Sequence, residues 1–313
     1  FGVYDFKKGE TFSSSTCQYY NYNSPSSAIV AYVTKGNDTK ILQSSNIHGL
    51  SLISGAHYIN DGALIKEGSF EKNGKEAITT VWNLSNTPYI YDTIEGTSIS
   101  IPPYKGEQEL KNLNIVLVQT LSMQEGSRSL DMNWHVENRN TADEDSVEVN
   151  LYYHADTYFS GDDRGFGGVS LLDRYVYVQK DDASAGMMIL KNKMPDSGDI
   201  KWYYYSGYYG TSQNMNATNY TGNSQIAKGK NSGLHQVKKN NNLENIAYPE
   251  ISKSKNSGPD KTSKVDMGYD MQWEFTVKAN SEQDISAGQQ WTNAGLIQIA
   301  APSAVKMQAG AEH

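Results

Sequence analysis

Two histidines and a group of carboxylates mark where chemistry is expected. In SLDMNWHVEN (residues 129–138), Asp131 and His135 fall on the polar side of an alternating run. In SVEVNLYYHADTYF (146–159), His154 does the same. An imidazole ionises near neutrality, so beside a carboxylate it can serve as general acid or base. Two imidazoles and one carboxylate are also a ligand set for a divalent metal. His154, His135 and Asp131 are therefore the candidate catalytic residues if the chain is an enzyme. The plainer alternative is that both histidines are surface strand residues bonded to cross-strand neighbours.

After His154 the chain runs through Asp156, Asp162 and Asp163, with Gly161, Gly165, Gly167 and Gly168 among them. Calcium takes several oxygen ligands from a loop of this kind, so these three aspartates are the candidate metal ligands. Their spacing is not that of an EF-hand, and an acidic turn is the competing reading. No other cofactor is expected. Tyr152, Tyr158, Asp156, Arg164, Trp202 and Tyr204 are the candidate ligand-binding residues. Aromatic rings stack on a ligand, while the tyrosine hydroxyl or a charged group bonds to it. His48 and His57 lie in an early polar loop, and sequence alone does not bring them to the same place. The chain has no Gly-x-Ser-x-Gly elbow, no phosphate-binding glycine loop and no His-Glu-x-x-His motif.

The elements that must position these groups are strands. Leu130, Met132, Trp134 and Val136 alternate with Asp131, Asn133, His135 and Glu137; Val147, Val149, Leu151 and Tyr153 alternate with Glu148, Asn150, Tyr152 and His154. A period of two marks half-buried antiparallel strands. The polar spacer between the runs predicts a hairpin, with His154 opposite Ser129 or Asp131 and His135 near Asn150.

Further strands are expected over 28–34, 39–43, 50–53, 63–70, 77–83, 97–101, 115–121, 174–179, 186–190, 200–205, 267–278, 283–286 and 296–300. Residues 1–27 read as an irregular lead-in. Residues 107–113 are expected to make one helical turn. Between 206 and 264 periodicity is lost amid Asn, Gly, Ser and Lys, which predicts an irregular insertion or a lid. The whole reads as a single all-β domain over 1–313, a large antiparallel β-sandwich.

Composition narrows the function classes. The formal charge of −8 argues against nucleic acid, which calls for a basic surface. No apolar run is long enough for a transmembrane segment. Tyrosine outnumbers phenylalanine 22 to 7, so the large side chains are mostly amphipathic and suit sugar or protein contacts. Cys17 is the one cysteine, which excludes an intrachain disulfide. A large, polar, nearly cysteine-free chain fits a bacterial protein secreted or held at the cell surface. The start at Phe1 reads as a mature form after signal removal.

The stretch VENRNTADEDSVEVNLYYHADTYFSGDDRGFGG and the later GYDMQWEFTVKA resemble a domain of large secreted bacterial surface proteins. Strand content and size are similar to the β-supersandwich of galactose-mutarotase-like proteins. That resemblance, over about residues 113–276, implies a fold shared by sugar epimerases, polysaccharide lyases and non-catalytic modules. The epimerases' catalytic histidine and glutamate match no positions here, so no site residue is carried over. The expected function is binding of carbohydrate or a cell-surface ligand. The alternatives are a carbohydrate-active epimerase or lyase using a histidine acid/base, and a toxin-like or structural interaction protein. Assembly state and ligand identity do not follow from the residues.

Overall fold

The computed structural model describes residues 2–4, 17–21, 28–36, 38–46, 49–52, 63–67, 75–105, 108–124, 127–159, 164–170, 173–179, 187–195, 198–208, 245–247 and 265–292. Within them the regular elements are strands, apart from one helical turn, α1 (Gln108–Lys111), and a 3-10 turn (Asp143–Asp145). The early strands are β1 (Gly2–Tyr4), β2 (Cys17–Asn21), β3 (Ala28–Lys35), β4 (Asp38–Asn46), β5 (Gly49–Leu52), β6 (Ala63–Glu67) and β7 (Lys75–Leu84). Next come β8 (Tyr89–Asp92), β9 (Ser98–Ile101), β10 (Ile115–Gln124), β11 (Ser129–Asn138), β12 (Val147–Phe159) and β13 (Arg164–Ser170). Then follow β14 (Tyr175–Gln179), β15 (Met187–Asn192), β16 (Lys201–Tyr208), β17 (Asn245–Ala247), β18 (Val265–Val277) and β19 (Ser281–Thr292).

Strand pairing resolves two layers. Sheet I runs β6-β7-β10-β11-β19-β15-β14-β13, all antiparallel. Sheet II runs β5-β4-β3-β12-β18-β16-β17, with the last pair parallel. A short β13–β18 pairing at Arg164 and Gly165 joins the layers, and β1 and β2 extend the far end of β12. The fold is thus an antiparallel β-sandwich. The helical turn falls where the sequence predicts it. The lead-in, expected to be irregular, contains strands β1 and β2.

The core lies where the two alternating patterns meet face to face. Trp134 of sheet I is 1% exposed and Trp273 of sheet II is fully buried. Their ring centroids lie 5.4 Å apart, and Tyr153 stands 6.3 Å from Trp134. Polar atoms of these two rings find partners: the Trp134 indole donates to Gln119 at 3.1 Å, and the Tyr153 hydroxyl meets Gln289 at 3.1 Å. Truncating a tryptophan packed in this way costs about 3–5 kcal/mol.

One expectation is corrected. β11 and β12 do not form a hairpin; β11 pairs with β10 and β19, and β12 with β3 and β18. Both strands have an apolar face, and that pattern is satisfied equally by two neighbours in one sheet or by two strands facing each other across a core. The spacer decides. Asn138 and Asn140 are buried, and their amides hold it between the layers. Asn138 Nδ2 donates to the Asp145 and Val277 carbonyls at 2.9 and 3.0 Å. Asn140 Nδ2 donates to the Leu113 carbonyl at 3.0 Å, and Lys35 Nζ donates to Asn140 Oδ1 at 2.8 Å. The spacer is a bridge from one sheet to the other.

The segment expected to be irregular from 206 begins inside β16 and returns as β17 at Asn245–Ala247. Residues 209–244 and 248–264 lie outside the described residues, as do His48, His57 and the strand expected over 296–300.

Candidate functional site

The outer face of sheet I is built from alternate residues of β7, β10, β11 and β19. On its β6–β7–β10 half these are Ile65, Val81, Val116 and Val118, which with Ile101 form a second buried apolar cluster. The β8–β9 hairpin packs over this cluster. Its Tyr89, Tyr91 and Ile99 lie against it, while Ile90 on the other side of the hairpin remains 57% exposed. On the β11–β19 half the same face is polar: Asp131, Asn133, His135 and Glu137 stand opposite Gly288, Ser286, Asp284 and Glu282.

A single buried carboxylate fastens the hairpin. Glu67, at the end of β6, is 2% exposed. Its Oε1 accepts the Tyr91 hydroxyl at 2.5 Å and its Oε2 accepts the Ile94 backbone N–H at 2.7 Å. Thr79 lies 3.2 Å from the same tyrosine oxygen and 3.0 Å from Thr120, extending the network into the sheet. Burial, reinforced by the hydrogen bond to Glu67, pushes the Tyr91 hydroxyl up to about 12. Burial also raises Tyr89, with the Glu137 and Glu282 charges adding to it. Both phenols therefore stay protonated across the physiological range. The tip turns at Gly96, whose φ of +79° lies in the left-handed region that glycine occupies without strain.

Where the hairpin stops and the polar half begins, an open pocket of about 540 Å³ forms. Tyr89, Tyr91 and Asp92 line it from the hairpin, and Thr120, Asn133 and His135 from β10 and β11. Glu282 and Asp284 of β19 complete its floor. His135 sits between the two carboxylates. Its Nδ1 is 2.8 Å from Asp284 Oδ1 and its Nε2 is 3.7 Å from Glu282 Oε2. Beside it, the Ser286 hydroxyl meets Asn133 Oδ1 at 2.5 Å. A second cavity of about 300 Å³, near Pro102 and Pro103, has a mostly apolar wall that includes Trp82, Ile101 and Tyr104.

The candidate residues named from sequence are dispersed. His135 lines the pocket. Asp131 shares its face but lies four residues away, roughly 13 Å along the strand. It is held by an ion pair with Lys193, whose methylenes cover Gly288. His154 belongs to sheet II, paired in register with Asp270 and Ala28. The supposed trio of His154, His135 and Asp131 is therefore not one set of cross-strand neighbours, because the hairpin that was to align it does not exist.

For Tyr152, Asp156, Tyr158, Arg164 and Tyr204 only backbone pairing is described: with Gln272, Gly268, Tyr20, Asp266 and Met271 respectively. Asp162 and Asp163, the other candidate calcium ligands, lie outside the described residues. Trp202 is half-buried against the main core, with the Arg174 guanidinium 5.7 Å from its ring centroid. Among the described residues no group of three His, Cys, Asp or Glu side chains is arranged to hold a metal. At His135 the reason is visible, since its two carboxylates approach different ring nitrogens and do not converge on one point.

The residues that sequence reading missed are Tyr89, Tyr91, Asp92, Thr120, Glu282 and Asp284. A signal for the first three was present: Tyr89-Ile90-Tyr91-Asp92 alternates and runs into a Gly96 turn. Compared with protein-family models and with curated proteins, the chain matches none. No helix among the described residues is long and apolar enough to cross a membrane.

Proposed function

We propose that the chain is a non-catalytic binding module of an exported or surface-exposed bacterial protein, and that the hairpin pocket holds a carbohydrate. The observation that carries this reading is the composition of one open pocket: the rings of Tyr89 and Tyr91, with the Tyr91 hydroxyl committed to Glu67, a threonine, an amide, an imidazole, three carboxylates and the apolar Ile90 and Val118. Alternating donors and acceptors beside aromatic edges are what a polyhydroxylated ring requires. The pocket is wide and wet, which suits a soluble ligand held by many modest hydrogen bonds.

The arrangement of His135 favours binding over acid/base catalysis. A general base needs a ring nitrogen facing the proton it takes. Here Nδ1 is taken up by Asp284 at 2.8 Å, and Nε2 faces the Glu282 carboxylate at 3.7 Å without a hydrogen bond to it. The two-sheet architecture is also what the galactose-mutarotase-like resemblance implies, although architecture alone does not fix chemistry.

Glycan-array screening followed by calorimetry tests the reading. A sugar ligand should be found, and its binding should be lost in His135→Ala and in a hairpin variant, Tyr89→Ala. Failure of the whole panel to bind, or retention of full affinity in both variants, would count against it.

A further inference from the structure

The second cavity, of about 300 Å³, lies where β7 runs past its pairing with β6. Those two strands pair from Ala77 to Val81, and the chain leaving β9 comes alongside at Asn83. Asn83 fixes that chain at two points. Its Nδ2 donates to the Ile101 carbonyl at 3.1 Å, and its own carbonyl accepts the Tyr104 N–H at 2.9 Å. Pro102 and Pro103, between those bonds, bring rings to the cavity wall and no backbone donor.

Two polar groups on this wall are unanswered. Trp82 is 3% exposed, and its indole Nε1 is buried with no hydrogen-bond partner. A buried donor left unpaired keeps its whole desolvation penalty, so an acceptor brought to it is rewarded. The Trp134 and Trp273 indoles donate to Gln119 and Asn192. Trp291 also lacks an acceptor, but it lines neither of the two cavities. Lys105, exposed on the same wall as Trp82, makes no ion pair with a described residue. The Asn83 side chain is already committed, its Nδ2 to the Thr87 and Ile101 carbonyls and its Oδ1 to the Ser85 hydroxyl.

An apolar wall with one buried donor and one cation calls for an apolar body ending in an anion that accepts N–H bonds. A cavity of about 150 Å³ holds a benzene ring, so this one has room for two fused rings. The Trp82, Pro102 and Pro103 rings offer flat surfaces to such a body.

We infer that this cavity binds a planar aromatic carboxylate, whose carboxylate accepts the Trp82 indole N–H and pairs with Lys105. The inference is independent of the carbohydrate reading, since the two cavities share no lining residue.

Titration calorimetry on the full chain with naphthoate, naphthamide and acetate tests it. Naphthoate should bind, and acetate, which lacks the apolar body, should not. The amide keeps an acceptor without the charge and should bind roughly fivefold more weakly at low salt. Lys105→Gln should bring naphthoate down to the affinity of the amide. Trp82→Phe removes the N–H, keeps an aromatic ring, and should weaken naphthoate at least about tenfold. In the magnetic resonance spectrum of the unaltered chain, one indole N–H signal should move downfield on adding naphthoate and show an Overhauser contact to its ring protons.

No binding of naphthoate, equal affinity for naphthoate and its amide, or unchanged naphthoate affinity in Trp82→Phe each overturns the inference and leaves the sugar reading untouched. Acetate binding as tightly as naphthoate would reduce the site to a general anion contact and overturns it too. Should Trp82→Phe fail to fold, as judged by circular dichroism, the indole signals of the unaltered chain decide, and their staying in place overturns the inference.

Discussion

Val118 and His135 stand opposite each other on neighbouring strands and share one face of sheet I. Val118 is 5% exposed, covered by the hairpin at the pocket's edge, while His135 lies on the pocket's open side. One rung of one ladder thus passes from closed core to wet site within a single strand spacing, roughly 5 Å. The backbone does not differ between the two positions. What differs is cover. The hairpin extends as far as Val118 and stops, so the same sheet surface holds structure together on one side and presents polar groups on the other.

The largest effect should come from placing charge under the cover. Val118→Asp buries an unpaired carboxylate and should cost at least about 3 kcal/mol, read as a fall in the urea midpoint. A cost below about 1 kcal/mol would mean that the hairpin is not packed against β10.

Removing the fastening comes next. Glu67→Ala leaves the Tyr91 hydroxyl and the Ile94 N–H without their acceptor, and should cost about 2–3 kcal/mol. Hydrogen exchange at Ile94 should accelerate while the amides of β11 stay protected.

Tyr91→Phe is milder, at about 1–2 kcal/mol, since one hydrogen bond to a charged group is lost. It also carries a pH signature. The folded-state pKa of about 12 lies above the ordinary value of 10.0, so the contribution is complete below pH 10 and is lost as pH rises through 12. Alkaline titration of stability should therefore be less steep in Tyr91→Phe than in the unaltered chain. Identical slopes would detach Tyr91 from the clamp.

The smallest effect on stability should be at His135, across the rung from the largest. His135→Ala removes a side chain that is 25% exposed and not part of either apolar core, and should change stability by no more than about 0.5 kcal/mol, while abolishing ligand binding. A loss of stability matching that of Val118→Asp would erase the distinction between the two halves.

Most of the strands were legible because the period of two is a local property: each of Leu130, Met132, Trp134 and Val136 announces its face by its immediate neighbours. The sandwich class followed from those strands. The connection between β11 and β12 was not legible. An apolar face is indifferent to whether it is shared with a neighbour or opposed by a second layer, and the buried amides of Asn138 and Asn140 look like ordinary turn residues in sequence. The site was legible only at His135. His135 bonds its cross-strand neighbour Asp284, the plainer of the two roles a histidine on a strand can take. Glu282 and Asp284 could not be joined to His135 beforehand, because nothing local encodes a pairing across 149 positions. Of the hairpin, β9 falls within the strand expected over 97–101, whereas β8 was missed because its four residues are too few for alternation to stand out.

The two last described strands, β18 and β19, each occupy the interior of a different layer: β18 between β12 and β16, β19 between β11 and β15. Synthesis proceeds from the other end, so until both have left the ribosome each half-made layer is split down its middle and shows raw edges to its surroundings. Loop closure over such separations is slow, and uncovered edges recruit other chains. A polypeptide laid out in this order keeps those edges uncovered until β18 and β19 have been added.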